Sequence, residues 1–197
     1  MKKLSLYVFL VLMFCNVGLA KEFKSKLGFY FEPPFTWKVV DNQNLMELIE
    51  KSDYDFDKES IIEILQLLDN NNYVYVYPIS YNFKLNNVNI HVAPMEEGAL
   101  SESDMPDFCG LILVTFRITL NSPTLKQHEC KLSKLIPKFH NVIELKHDGP
   151  VKGMYNIQFF FDDRSNAKSL TVTLGCEFDN CEILKKETIK IINSIRF

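Results

Sequence analysis

Seven glycines in 197 residues leave this chain few places for flexible hinges. Gly/Ser linkers, low-complexity tracts and internal repeats are absent, so it reads as one folding unit rather than a string of modules. The chain has no Gly-x-Ser-x-Gly elbow, no His-Glu-x-x-His helix and no phosphate-cradling glycine loop, which removes the commonest hydrolase, metalloprotease and nucleotide-binding signatures. Without a Cys-x-x-Cys, thioredoxin-like exchange is excluded too. Basic residues are outnumbered, 22 Lys and Arg against 25 Asp and Glu, and form no stripe, so nucleic acid is not an expected partner. Beyond the first twenty residues no apolar run approaches the roughly 20 residues that cross a bilayer as a helix, so no stable membrane insertion is expected after export.

The first twenty residues are a different kind of segment. Lys2 and Lys3 precede an apolar run from Leu4 to Phe14, and Gly18 and Ala20 supply small residues where a signal peptidase cuts. Cys15 is no lipoprotein cysteine, because Leu12, Met13 and Phe14 put bulk where a lipobox needs small side chains. Cleavage after Ala20 is expected, leaving a single domain from 21 to 197 in the periplasm or outside the cell. Without Lys2 and Lys3 the 20 remaining basic residues face 25 acidic ones, a net charge of −5. A domain of this size buries roughly 70% of its unfolded surface and needs neither metal nor disulfide merely to fold.

The mature chain keeps Cys109, Cys130, Cys176 and Cys181. An even count in an exported protein argues for disulfides, and four cysteines allow three connectivities. The strand-to-helix turn inside GCEFDNC, residues 175–181, brings Cys176 and Cys181 close and favours that pair, with Cys109 and Cys130 left for each other. That leaves no free thiol as a nucleophile. His128 and Cys130 are close in sequence, but on a helix they point to different faces, and no second pair completes a zinc site. Asp53, Asp55 and Asp57 imitate an EF-hand loop until Lys58 occupies the glycine position and Ile64 the bidentate glutamate position. Neither a metal nor a cofactor is expected.

Periodicity organises the rest. Short helices are expected over 44–51 and 60–69, the second opened by a capping box at Ser60–Glu63. Tyr73, Tyr75 and Tyr77 alternate with Val74 and Val76 as on a half-buried strand, which makes the tyrosines a candidate protein-interaction surface. A strand over Val88–Val92 follows, then a loop over 94–107. The run Leu111–Leu120 fits a strand or a buried helix and is read here as helix, and Thr124–Ile136 reads as a second helix stopped by Pro137. A hairpin turns at His147-Asp148-Gly149-Pro150, a strand covers Ser169–Gly175, and a helix over Glu182–Ile195 sets Leu184, Ile191, Ile192 and Ile195 inward and Lys185, Lys186 and Lys190 toward water.

An aromatic strand ending in Pro…Trp (Phe31 to Trp37), a hairpin across Asp148-Gly149, a further strand, and a helix running into Ile192-Asn193-Ser194-Ile195-Arg196-Phe197 together resemble the PsbP-like superfamily, which includes the DcrB-like envelope proteins. The resemblance spans roughly residues 27 to 197. It implies an α+β fold, a central antiparallel sheet with helices on both faces in an α/β/α sandwich. It also implies an accessory or binding role without a catalytic site; with no shared catalytic motif, it transfers no functional residue. The chain is thus read as an exported, non-catalytic binding or accessory protein of the bacterial envelope whose partner is another envelope or secreted protein. The alternatives are a secreted effector or immunity-type protein, or a hydrolase built on His128, His140 or His147.

Overall fold

Alternation of buried and outward-facing residues over 73–78, 87–94 and 168–174 builds the middle of the central sheet. The computed structural model describes residues 22–25, 27–40, 73–80, 85–95, 102–119, 122–139, 141–149 and 151–197. The leader, the helices expected over 44–51 and 60–69, the acidic run 53–57 and His140 lie outside these residues. The strands are β1 (Phe23–Lys24), β2 (Tyr30–Phe31), β3 (Trp37–Val40), β4 (Tyr73–Pro78), β5 (Asn87–Pro94), β6 (Gln127–Leu132), β7 (Ile143–Asp148), β8 (Met154–Asp163) and β9 (Lys168–Glu177). The helices are α1 (Met105–Thr119) and α2 (Cys181–Ser194). β1 and β2 form a small ribbon, and the other seven strands make one antiparallel sheet in the order β3-β4-β5-β9-β8-β7-β6.

On one face Val74, Val76, Val88, Ile90, Ile157, Phe159, Val172 and Leu174 form a continuous core beneath Leu184, Ile191 and Ile192 of α2. Each such side chain contributes about 1.5–3 kcal/mol on burial, so this layer dominates the stability. The two segments that carry the family resemblance meet here. Tyr30 and Arg196 exchange backbone hydrogen bonds of 2.7 and 2.9 Å, and the Phe29 and Phe197 rings lie 6.0 Å apart. Pro33 and Pro34 occupy the bend between β2 and β3, where Trp37 N–H donates to the Pro34 carbonyl. At the β7–β8 turn only glycine fits position 149, because a Cβ there would sit 2.8 Å from that of Met154.

Residues of the opposite parity face the other way. Ile143 and Leu145 of β7 cluster with Cys109 of α1, and Met105, Phe108, Ile112, Cys130, Leu132 and Phe160 pack around them. Disulfides join Cys109 to Cys130 and Cys176 to Cys181, so α1 is tied to β6 and α2 to β9. Among the described residues α1 covers only the β6–β7–β8 part of its face. The chain is therefore an α+β fold with a large antiparallel sheet and two described helices.

Three local expectations need correction. Thr124–Ile136 is no helix: Gln127–Leu132 forms the edge strand β6, since pairing with β7 and the bond to Cys109 outweigh a weak helical pattern. The loop read over 94–107 ends early, at a 3-10 turn over Glu102–Asp104, and α1 starts at Met105. Lys185 does not face water. Its ammonium donates to Glu144 Oε1, a fully buried carboxylate on β7 that also has Lys131 Nζ at 3.8 Å. Removing one partner of a buried pair strands the other charge, at about 3–5 kcal/mol, whereas replacing both is close to neutral. Lys185→Met should therefore lose about that much stability in urea denaturation, and adding Glu144→Gln should recover most of it.

Candidate functional site

Strand register places three rows of side chains across the α1 face. Asn87, Gly175, Asn156 and His147 align along the first, and Tyr75, Asn89, Thr173, Gln158 and Leu145 along the second. Tyr73, His91, Thr171, Phe160 and Ile143 make the third. The second and third rows change from polar to apolar where α1 begins, and the first ends at His147. α1 seals the apolar half, and the polar half stays open as a groove of about 420 Å³ over β4, β5, β9 and β8. Tyr73 and Tyr75 form one wall, Phe116 of α1 contributes to the lining, and Asn89, Thr171, Thr173 and Gln158 are among the residues of the floor.

The walls are aromatic. Tyr73 and Tyr75 stack with centroids 6.3 Å apart, and His91 lies 4.6 Å from Tyr73. Phe116 rests 4.9 Å from the ring of His147, just beyond the floor. Ser122 N–H donates to the Arg117 carbonyl, and the Arg117 guanidinium donates twice to the Leu125 carbonyl at 2.9 and 2.7 Å, so the helix end beside Phe116 is anchored. Gln158 Nε2 donates to Thr173 Oγ1 at 3.3 Å. His147 Nδ1–H donates to the Asp148 carbonyl at 2.6 Å, and the Gln158 side chain hydrogen-bonds the same ring.

Protonation leaves the groove without charge. Burial raises the Tyr73 hydroxyl above its ordinary range; the Tyr75 hydroxyl is pushed up to about 12 by burial and then by Tyr73. Burial lowers His91, and it lowers His147 despite the Asp148 carbonyl. At neutral pH both imidazoles are neutral, and among the described residues no Lys, Arg, Asp or Glu lines the cavity.

The sequence-derived candidates scatter. Tyr73 and Tyr75 line the groove. Tyr77 shares their face of β4, opposite Lys38 in the β3 register, but is not part of the lining. His128 Nε2 lies 2.6 Å from Asp148 Oδ1, outside the groove lining. The other carboxylate oxygen accepts from Lys126 N–H at 2.9 Å, and Asp148 N–H donates to the Lys126 carbonyl. Desolvation pushes Asp148 up, but the His128 bond and the Lys126 N–H hold it below the usual carboxylate range. The pair joins β6 to the end of β7. A bulge between Gln127 and Glu129 turns His128 toward Tyr155, away from the side on which Cys130 bonds Cys109. The two residues do diverge, on a strand rather than a helix. Among the described residues no three His, Cys, Asp or Glu side chains gather as a metal site would need.

Sequence reading missed Asn89, His91, Asn156, Gln158, Thr171, Thr173 and Gly175. Their signal was present, since Asn87, Asn89 and His91 alternate with Val88, Ile90 and Val92, and Thr171, Thr173 and Gly175 with Val172 and Leu174.

These shifts give the protein a pH profile. His91 and His147 bind protons less well folded than unfolded, so stability is complete above their ordinary pKa of 6.5 and falls as pH drops below it. Tyr75 acts on the alkaline side, where its contribution is present below pH 10 and lost as pH rises toward 12. Thermal melts should show Tm falling between pH 7 and 5, with a shallower fall in His91→Asn. Absorbance titration at alkaline pH should show one late tyrosine that is missing in Tyr75→Phe.

Searches of protein-family models and of curated proteins return no match. A protein of Bacteroides thetaiotaomicron aligns over 90% of this chain and 48% of its own, at 10% identity and a TM-score of 0.39. The cyanobacterial PsbP (CyanoP) of Synechocystis sp. PCC 6803 aligns over 92% of this chain and 95% of its own, at 13% identity and a TM-score of 0.51. At that identity the likeness is one of fold, and the fold of this chain is PsbP-like.

Proposed function

We propose that the chain is an exported, non-catalytic binding or accessory protein of the bacterial cell envelope that acts through the groove beside α1. The observation that carries this reading is the groove itself: a preformed concavity lined by aromatic, amide and hydroxyl side chains that take no part in the α2-face core. The leader pattern supports export with cleavage behind Ala20, and two disulfides suit an oxidising compartment, periplasmic or extracellular. Among the described residues no helix is long and apolar enough to cross a membrane. The PsbP-like fold agrees with an accessory role. The partner is another exported component met in the same compartment. A secreted effector or immunity-type protein would use the same groove outside the cell, and recovery from culture supernatant rather than the periplasmic fraction separates the two.

A photo-cross-linking amino acid at position 73, in protein exported by its own cells, tests the reading. An adduct is expected at Tyr73 and not from the same probe at Ile183, an exposed residue of α2. No adduct from position 73, or the same products from both positions, refutes the groove as the binding site.

A further inference from the structure

We infer that the groove holds a segment of neutral oligosaccharide, its sugar rings laid against Tyr73 and Tyr75 and its hydroxyl groups spread over the amide and hydroxyl floor. The inference rests on the groove being the binding site and names the chemistry of its occupant.

Charge is the first discriminator. A phosphate, carboxylate or ammonium drawn into this cavity would lose water and meet no countercharge from the described residues, none of whose ionised side chains lines it. An apolar ligand fails for the opposite reason. Asn89, Asn156, Gln158, Thr171 and Thr173 each bring donors and acceptors, which a hydrocarbon would strand at a desolvation cost. The occupant must therefore be uncharged yet rich in groups that both donate and accept, closely spaced in two dimensions. Sugar hydroxyls meet that description.

The aromatic wall is the second. The negative faces of tyrosine rings attract polarised C–H groups, and a sugar ring presents such groups on one face while its edge carries hydroxyls. Two stacked tyrosines beside an amide floor thus suit a ring that is apolar on its face and polar on its rim. A peptide strand would be held differently, by main-chain bonds at a sheet edge, whereas this site lies on a sheet face with β3 on the outside of β4.

Gly175 is the third observation. It lies in the middle of the sheet between Asn87 and Asn156, and the nearest atoms a Cβ there would meet are Asn156 Oδ1 at 3.6 Å and the Asn87 amide at 3.8 Å, ordinary van der Waals contacts. The fold therefore has room for alanine at a strand position where glycine is the weaker choice. Glycine keeps the floor open between two amides, where a ligand can approach the backbone.

The test uses the full-length gene product, exported with its own leader and purified oxidised, on an array of neutral, acidic and amine-bearing oligosaccharides of two to six units, followed by calorimetry on the hits. Neutral oligosaccharides should bind, with affinity insensitive to salt, and charged ones should not. Tyr75→Ala should weaken binding about tenfold, on the scale of one lost aromatic contact. Gly175→Ala should weaken it as well while leaving Tm unchanged or raised, a combination that a purely structural glycine cannot produce. An array on which only charged sugars or none bind, or binding indifferent to both substitutions, overturns the inference. If the array is empty but the position 73 probe captures a protein, the groove is a binding site with a protein occupant and only this inference falls. If both are negative, the groove reading falls with it.

Discussion

The pairing of β8 with β9 is the constraint on which everything else hangs. Ten consecutive positions, from Met154 opposite Glu177 to Asp163 opposite Lys168, lock two strands that each serve both faces of the sheet. A slip of one residue would turn Leu170, Val172 and Leu174 outward and press Thr171 and Thr173 into the core. Losing three aliphatic side chains from the core costs roughly 5–9 kcal/mol, comparable to the whole net stability of a domain. The register of the groove is thus enforced by the core behind it. β5 takes its place from the same strand, through eight positions of pairing with β9 and the clamp in which Asn86 and Glu177 exchange two hydrogen bonds.

The open half of the α1 face follows from where apolar residues stop. α1 can bury itself only over Ile143, Leu145 and their neighbours, and beyond Phe160 the rows turn to threonine, asparagine and tyrosine. Its hold there is narrow, with Leu111, Val114 and Ile118 left exposed on its outer side. The Cys109–Cys130 bond compensates by removing loop entropy from the unfolded chain, about 3 kcal/mol for a separation of 21 residues. The short Cys176–Cys181 loop, of separation 5, contributes nearer 2 kcal/mol on the same model and fixes the step from β9 into α2. The wall at Phe116 is set in place by a covalent bond and by the Arg117 clamp as much as by packing.

Much of the architecture was legible because the strongest patterns are local. Tyr73–Tyr77 alternates, Leu184, Ile191 and Ile192 repeat at helical spacing, and Asp148-Gly149 marks a hairpin; each appears where periodicity put it. β6 was not legible because Gln127–Leu132 has no alternation to speak of and becomes a strand through its partner β7. Lys185 was misread because a helical wheel shows the charge of a residue and not what lies across from it, here the buried Glu144. Only half the groove could be seen. Its polar alternation is written in each strand, but bringing Tyr75, Asn89, Thr173 and Gln158 into one row requires a strand order that no single segment encodes.

One consequence of that alternation concerns how such a protein can change over generations. On β4, β5 and β9 every second residue belongs to the core and the residues between them to the groove, so mutation can explore one set while the other keeps the fold intact. Substitutions at Asn89, Thr171 or Thr173 alter what the surface offers a partner without opening a cavity in the packed layer. The same scaffold can therefore acquire and discard recognition preferences while its backbone hardly moves.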